Sequence, residues 1–373
     1  MTQNSETILD NPKKIKSQDK SNMLSFCTNI SENYKQAYNL AQTIKVKFAK
    51  PDNIIVAGMG GSAIGGDLLK DWAKDQIQVP IEVNRDYQLP AYANKKTLVL
   101  ITSYSGDTEE SLSAFLDALN RGCMVYCVSS GGALLDFAER LKVPYLRVPK
   151  GMPPRAALPY LLMPLLVCME KLGLASGISA EVSEALDVLK KCSDAYAPNV
   201  AAKDNLAKTL AIVINGSVPA FYGFGLYRGV AQRFKQQFNE NSKIAAKWEV
   251  FPELDHNEIV GWEKSQDTAK DFSVIFIKDK HAPKVILSRI EITKQLMKNS
   301  GVKMFEVQST GKKALAKMLS VVCVGDFASI YLAVLRGVDP MPVETINHLK
   351  AALGENKVKE ETVAALEKLA KSS

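Results

Sequence analysis

The chain has 373 residues, 46% of them apolar and 23% charged, with a formal net charge of +7 spread over scattered lysines. This length exceeds what one core holds, so two domains are expected, with the composition of an ordinary globular enzyme. No basic stripe is interleaved with stacking aromatics, which argues against nucleic-acid binding, while a mildly positive field suits a small anionic substrate.

Met1 to about Lys20 is polar and aperiodic, contains Asn11-Pro12, and reads as a partly disordered lead-in without an apolar signal segment. Cytoplasm is therefore the expected location. Apolar residues at Tyr34, Ala37, Tyr38, Ala41 and Ile44 predict a helix, with Ser31 as its N-cap. Ile54 to Ala57 reads as a buried strand, and Gly58-Met-Gly-Gly-Ser-Ala63 as a turn that opens a helix through about Ala73. Strands follow at Ile81–Val83 and Leu98–Thr102, and the second runs into Ser103-Tyr-Ser-Gly-Asp-Thr-Glu-Glu-Ser111. A helix then ends at Gly122, a natural left-handed cap. Next come a strand at Met124–Val128, a helix through about Leu141 and a strand at Tyr145–Val148. Strand and helix alternate, which predicts a parallel sheet covered on both faces.

Lys150-Gly-Met-Pro-Pro-Arg155 is linker-like. It leads to an apolar segment, Leu158 to Met169, that is too short and too Pro-rich to span a membrane; Leu315 to Leu335 is long enough but carries Lys317, Gly325 and Asp326. Both read as buried core helices, so no membrane association is expected. A helix is predicted around Val182 to Lys190, and past Asp204 the pattern restarts with a buried strand at Leu210–Ile214 before Asn215-Gly216. A helix from about Tyr227 to Phe238, a strand at Phe272–Ile277, a helix at Ile286–Met297 and a strand at Val302–Val307 follow. The tail from Asn356 has Val363, Leu366 and Ala370 at helical intervals.

The halves match: helix, Gly122, strand, Ser129 in the first, and helix, Gly301, strand, Ser309 in the second. The strands at Ile54 and Leu210 are both read as followed by a glycine turn and a helix. This is an internal duplication of one α/β plan. The expected division is a lead-in at 1–35, a first domain at 36–195, a second at 196–354 and a helical tail at 355–373. Six dispersed cysteines (Cys27, Cys123, Cys127, Cys168, Cys192, Cys323) without a CxxC pair read as free core thiols.

Gly58-x-Gly60-x-x-Ala63 fits a dinucleotide loop, another phosphate loop or a plain tight turn. The dinucleotide reading wants an acid ending the next strand, where the chain has Asn84 and, slightly late, Asp86. Ser103, Ser105 and Thr108, with Gly106, put three hydroxyls before a helix, which suits the three oxygens of a phosphate monoester; the alternative is a serine-rich helix cap. Phe238-Asn-Glu-Asn-Ser-Lys243 places Glu240 between amides, as a catalytic acid or as a cap. His256, among Glu253, Asp255 and Glu258, reads as structural or, with those carboxylates, as a metal ligand. Arg155 stands at a helix start, where the dipole disfavours a cation.

These stretches together, GMGGSAIGG, SYSGDTEE, PPRAA, NENSK and FPELDHNE, resemble the bifunctional phosphoglucose/phosphomannose isomerases of archaea and some bacteria, over roughly residues 36 to 352. The resemblance implies two tandem, doubly wound sugar isomerase (SIS) domains with flanking helices, acting without cofactor or metal on sugar phosphates through an enediol. It implies that Gly61, Ser62, Ser103, Ser105 and Thr108 hold the phosphate and that Glu240 moves the proton between C1 and C2. Arg155 would stabilise the enediolate, and Lys350 would contact substrate unless it is a solvated helix residue. His256 would assist ring opening in the neighbouring subunit of a homodimer. The family's acceptance of mannose 6-phosphate goes with a threonine about two turns before that lysine. Here Val343 stands there with Thr345 nearby, so glucose isomerisation is implied more firmly. Two other classes fit parts of the pattern: a non-catalytic sugar-phosphate sensor, against which Glu240 and His256 argue, and a dinucleotide oxidoreductase.

Overall fold

A computed structural model describes residues 8–372. Its strands form two parallel sheets. The first contains β1 (Asn53–Ala57), β2 (Ile81–Asn84), β3 (Thr97–Thr102), β4 (Met124–Ser129) and β5 (Tyr145–Arg147), in the order β2-β1-β3-β4-β5. The second contains β6 (Val218–Phe224), β7 (Lys247–Phe251), β8 (Phe272–Lys278) and β9 (Lys303–Gln308), in the order β7-β6-β8-β9. Both are doubly wound α/β sheets, as the alternation predicts. β3 is buried at all six positions, as a central parallel strand covered on both faces must be. Strand order reverses between β1 and β3 and again between β6 and β8, and such a switch leaves a crevice outside the strand C-termini.

The chain divides into two compact units, Asn33–Ser179 with Val343–Ser373, and Met1–Glu32 with Ala180–Pro342. In the first, the C-terminal helix Val358–Ser372 packs on the helices Glu109–Asn120 and Gly132–Arg140. It seats a fully buried Leu366 among Leu112, Phe115 and Leu135, and Arg140 grips Glu367 through two bonds of 2.7 and 2.6 Å.

Three expectations are corrected by the structure. Leu210–Ile214 is not a strand but part of the helix Leu206–Ile214, capped by the Asn205 side chain, which accepts from the Lys208 N–H at 3.1 Å. A short apolar run buried against the helix Ala314–Leu335 looks the same in either state by periodicity alone. The strand comes slightly later, at β6, where Pro219 and Gly223 disguise it. The N-terminal stretch is also ordered within the described residues. Pro12–Gln18 is a helix with Pro12 at its start and Asn11 as N-cap, and it buries Ile15. Residues 1–7 of the expected lead-in lie outside the described residues. Ser31 sits inside the helix Ile30–Ala41 rather than capping it, and its hydroxyl donates to Leu186 O at 3.0 Å.

The helix Ala314–Leu335 is long and apolar enough to cross a membrane by composition, but 94% of its most apolar window is buried by the rest of the protein. It is the core helix of the second unit. The helix Leu158–Lys171 is likewise buried along Leu158–Met169 in the first. All six cysteines are free, five of them buried.

Candidate active site

The C-terminal edge of the first sheet gathers three loops. After β1, Gly60 adopts φ +49° and the helix Gly60–Ala73 begins with no acid in its first turn and no side-chain cap. An uncapped helix start with its dipole unopposed favours an anion. After β3, the Ser103 hydroxyl accepts from the Gly106 N–H at 3.2 Å and reaches Thr108 Oγ1 at 3.3 Å, while Ser105 Oγ accepts from the Asp107 N–H at 3.3 Å. Thr108 precedes the helix Glu109–Asn120, and its own side chain makes no capping bond. After β4, Ser130 Oγ donates to Tyr104 O at 2.7 Å.

These loops are fastened to one another by groups that the sequence reading did not single out. Tyr104 N–H donates to Ser62 Oγ at 3.0 Å, and Thr102 Oγ1 donates to Ser62 O at 2.9 Å. The first and second loops are thereby locked together through Ser62, whose hydroxyl hydrogen stays available to a ligand. Gly106, at φ +76°, is pressed so closely on the third loop that a Cβ there would stand 1.8 Å from Gly131 O. Tyr104 also fixes the loop before Arg155: its hydroxyl donates to Pro149 O and accepts from the Met152 N–H, both at 2.9 Å. Arg155, 2% exposed, lies in the short 3-10 turn Pro154–Ala156 whose backbone abuts Gly61. The structure therefore brings Gly61, Ser62, Ser103, Ser105, Thr108 and Arg155 to one sheet edge. Tyr104 carried a signal, an aromatic inside a serine-rich loop, but its partners Ser130, Ser62, Pro149 and Met152 lie 26 to 48 residues away.

Lys350 stands exposed on the helix Glu344–Leu353, which has no buried residue. At β2, the acid that a dinucleotide loop wants is replaced by Asn84, whose amide donates to Asp86 O at 3.1 Å.

In the second unit, Glu240 lies in the last turn of the helix Arg228–Ser242, whose C-cap Lys243 is left-handed at φ 55°. Its neighbours are clamped: Asn239 Nδ2 donates to Ile244 O at 2.7 Å, Asn241 Nδ2 to Ser329 Oγ at 2.9 Å, and Ser242 Oγ to Ser329 O at 2.6 Å. A buried pair deeper along the same helix, Arg233 with Asp326, makes bonds of 3.1 and 2.8 Å, and Gln237 adds a third at 2.8 Å. Asn241 and Ser242 thus hold the helix end to the helix Ala314–Leu335, Asn239 ties it to the turn that follows, and together they fix the backbone from which Glu240 projects.

His256 is exposed at the end of the 3-10 turn Glu253–His256. The carboxylates weighed as its companions in a metal site are each engaged elsewhere. Asp255 binds Arg289 at 2.7 Å, Glu258 binds Lys247 at 2.6 Å, and Glu253 accepts from Asn257 at 2.8 Å.

Two doubly wound sheets, with a hydroxyl- and glycine-lined cradle at the edge of the first, define a tandem SIS-type α/β protein. The fold matches a hypothetical protein from Thermus thermophilus with a TM-score of 0.75 at 12% identity, over 95% of this chain and 94% of that one. Residues 203–353 match the bacterial phospho-glucose isomerase C-terminal SIS domain. The chain belongs to the bifunctional phosphoglucose/phosphomannose isomerase family. It is 41% identical to the bifunctional phosphoglucose/phosphomannose isomerase of Caldicellulosiruptor bescii, over 88% of this chain and 98% of the relative. It is 35% identical to that of Aquifex aeolicus, over 80% of this chain and 90% of the relative.

Proposed function

We propose that the chain interconverts glucose 6-phosphate, and also mannose 6-phosphate, with fructose 6-phosphate through an enediol, without a cofactor, in the cytoplasm. The observation that carries this reading is the 41% identity over 98% of the Caldicellulosiruptor relative. The anion-receptive cradle at the first sheet supports it independently.

Aldose–ketose exchange needs an open-chain sugar, a base that takes a carbon-bound proton and returns it to the neighbouring carbon, and a cation near the developing oxyanion. Gly61, Ser62, Ser103, Ser105 and Thr108 hold the phosphate, and this remote binding energy positions the reacting carbons. Glu240 moves the proton between C1 and C2, Arg155 stabilises the enediolate, and Lys350 contacts the sugar. His256 assists ring opening in the partner subunit of a homodimer. Its exposure supports this, as do Val260, Val285, Ile292 and Leu296, exposed apolar residues of the turn after it and of the helix whose Arg289 binds Asp255.

The test is a coupled assay on purified protein with glucose 6-phosphate and mannose 6-phosphate in parallel, each with and without EDTA, plus turnover in heavy water. Both sugars should react, EDTA should leave the rates unchanged, and deuterium should enter C1 of the fructose 6-phosphate formed and, through the reverse step, C2 of the re-formed aldose. Failure to turn over either sugar sinks the proposal, and loss of activity in EDTA would return the metal reading of His256.

A further inference from the structure

The second sheet repeats the plan of the first, but the groups at its edge differ. Asp279 is the first residue after β8, as Ser103 is the first after β3. Where Gly60 and Gly61 follow β1, Tyr227 closes the turn after β6, and Ser309 follows β9. Three donors converge on the Asp279 carboxylate, which is almost fully buried. Lys317 Nζ lies 3.0 Å from Oδ2, Tyr227 Oη lies 3.0 Å from the same oxygen, and the His281 N–H donates to Oδ1 at 2.8 Å. Ser309 Oγ adjoins the tyrosine hydroxyl at 2.8 Å. A lysine, a tyrosine hydroxyl backed by the Ser309 hydroxyl, and a backbone amide around two oxygens at a strand-order switch form the donor set of a phosphate site, but the anion here is part of the chain.

The neighbouring helix start is filled in the same way. The Lys313 N–H donates to Glu184 at 3.1 Å and the Leu315 N–H to Glu181 at 2.9 Å. At the first sheet Ser103 stands where Asp279 does and Gly60 and Gly61 open the helix that matches Arg228–Ser242, while at the start of Gly132–Arg140, the counterpart of Ala314–Leu335, Asp107 Oδ1 accepts from the Ala133 N–H at 3.4 Å.

We propose that the C-terminal edge of the second sheet is a phosphate-type anion site that the chain fills with its own Asp279 carboxylate. Each chain therefore takes a single phosphate, at the first sheet, and replacing Asp279 opens a second site for a phosphate monoester or inorganic phosphate between Lys317, Tyr227 and Ser309. The assignment of the first-sheet phosphate rests on the proposed function; the closure of the second does not.

Calorimetric titration of the full chain with inorganic phosphate tests this. The wild type should bind one phosphate per chain and Asp279→Ser two, and adding Lys317→Gln to Asp279→Ser should weaken the new site about tenfold or more, the scale of losing one charged hydrogen bond. Two sites in the wild type, or no added site in folded Asp279→Ser, would overturn it. If Asp279→Ser does not fold well enough for calorimetry, Asp279→Gly serves instead: phosphate should raise its melting temperature more than that of the wild type, and equal shifts overturn the proposal. A wild type that binds none while Asp279→Ser binds one supports closure of the second site and counts against the first-sheet cradle.

Discussion

Gly61 lies against the peptide that begins Arg155: a Cβ built on Gly61 would stand 2.9 Å from Arg155 N and 2.9 Å from the Pro154 carbonyl carbon and oxygen. The glycine is there so that two backbones can touch, which sets the proposed phosphate loop and the loop of Arg155 in one frame. Gly61→Ala should displace the Pro154–Ala156 turn and lower kcat/KM by about 100-fold, the cost of a misplacement near 1 Å. Steady-state kinetics beside a circular-dichroism melt checks this, and an alanine variant with wild-type kinetics would show that the frame does not matter.

Ser62 has a structural part and, in the proposed reaction, a binding one. Its oxygen accepts from the buried Tyr104 N–H. Ser62→Ala leaves that donor unsatisfied and should cost about 1–3 kcal/mol of stability. It should also raise KM for the sugar phosphate. Urea denaturation reads the first effect and kinetics the second; Ser62→Thr, which keeps the oxygen, should lose less stability.

Glu240→Gln keeps the shape of the helix end, where Asn239, Asn241 and Ser242 hold the backbone without it. Turnover should fall by about 10²–10⁴-fold, the usual worth of a positioned base, with fructose 6-phosphate binding nearly intact. A rate near wild type would remove Glu240 from the mechanism.

The Arg233–Asp326 pair is buried on both sides. Arg233→Met leaves an uncompensated carboxylate in the core and should destabilise the chain by about 3–5 kcal/mol, whereas replacing both partners with apolar residues should recover much of that loss. Chemical denaturation of the single and double variants measures the difference.

Acid stability should depend on Asp279. Burial pushes its carboxyl up, but the His281 N–H, Lys317 and the Tyr227 hydroxyl outweigh burial and hold it below the ordinary aspartate value. A depressed carboxylate contributes stability that is present above its unfolded pKa, about 3.9, and lost as pH falls through its lower folded pKa. Asp279→Asn should therefore lie furthest below the wild type near pH 5 to 7, with the gap narrowing below about pH 4. Urea midpoints measured from pH 6 down to pH 2.5 would show it; a constant gap would mean that the carboxylate's charge contributes nothing.

Much of the site is legible in the chain. Ser103, Ser105 and Thr108 are consecutive enough for hydroxyl chemistry to be read directly, and the glycine turn after β1 announces itself because its residues are neighbours. The N-terminal helices are hidden because Ile15 is apolar only once in a polar stretch, and what buries it comes from elsewhere in the chain. The helix at Leu206–Ile214 reads as a strand because an apolar run buried all round carries no period.

What the sequence determined by itself is local: strand and helix alternation, duplication, and the residue types able to meet an anion, all set by short-range stereochemistry and side-chain pattern. Only the tertiary structure decided that Gly61 must be bare because Arg155 lies against it, and that Ser62 and Tyr104 fasten two loops together. It also showed that the second sheet edge, alike in plan, is already occupied by Asp279. Those facts depend on distances between residues far apart in the chain, and packing sets such distances while no local pattern does.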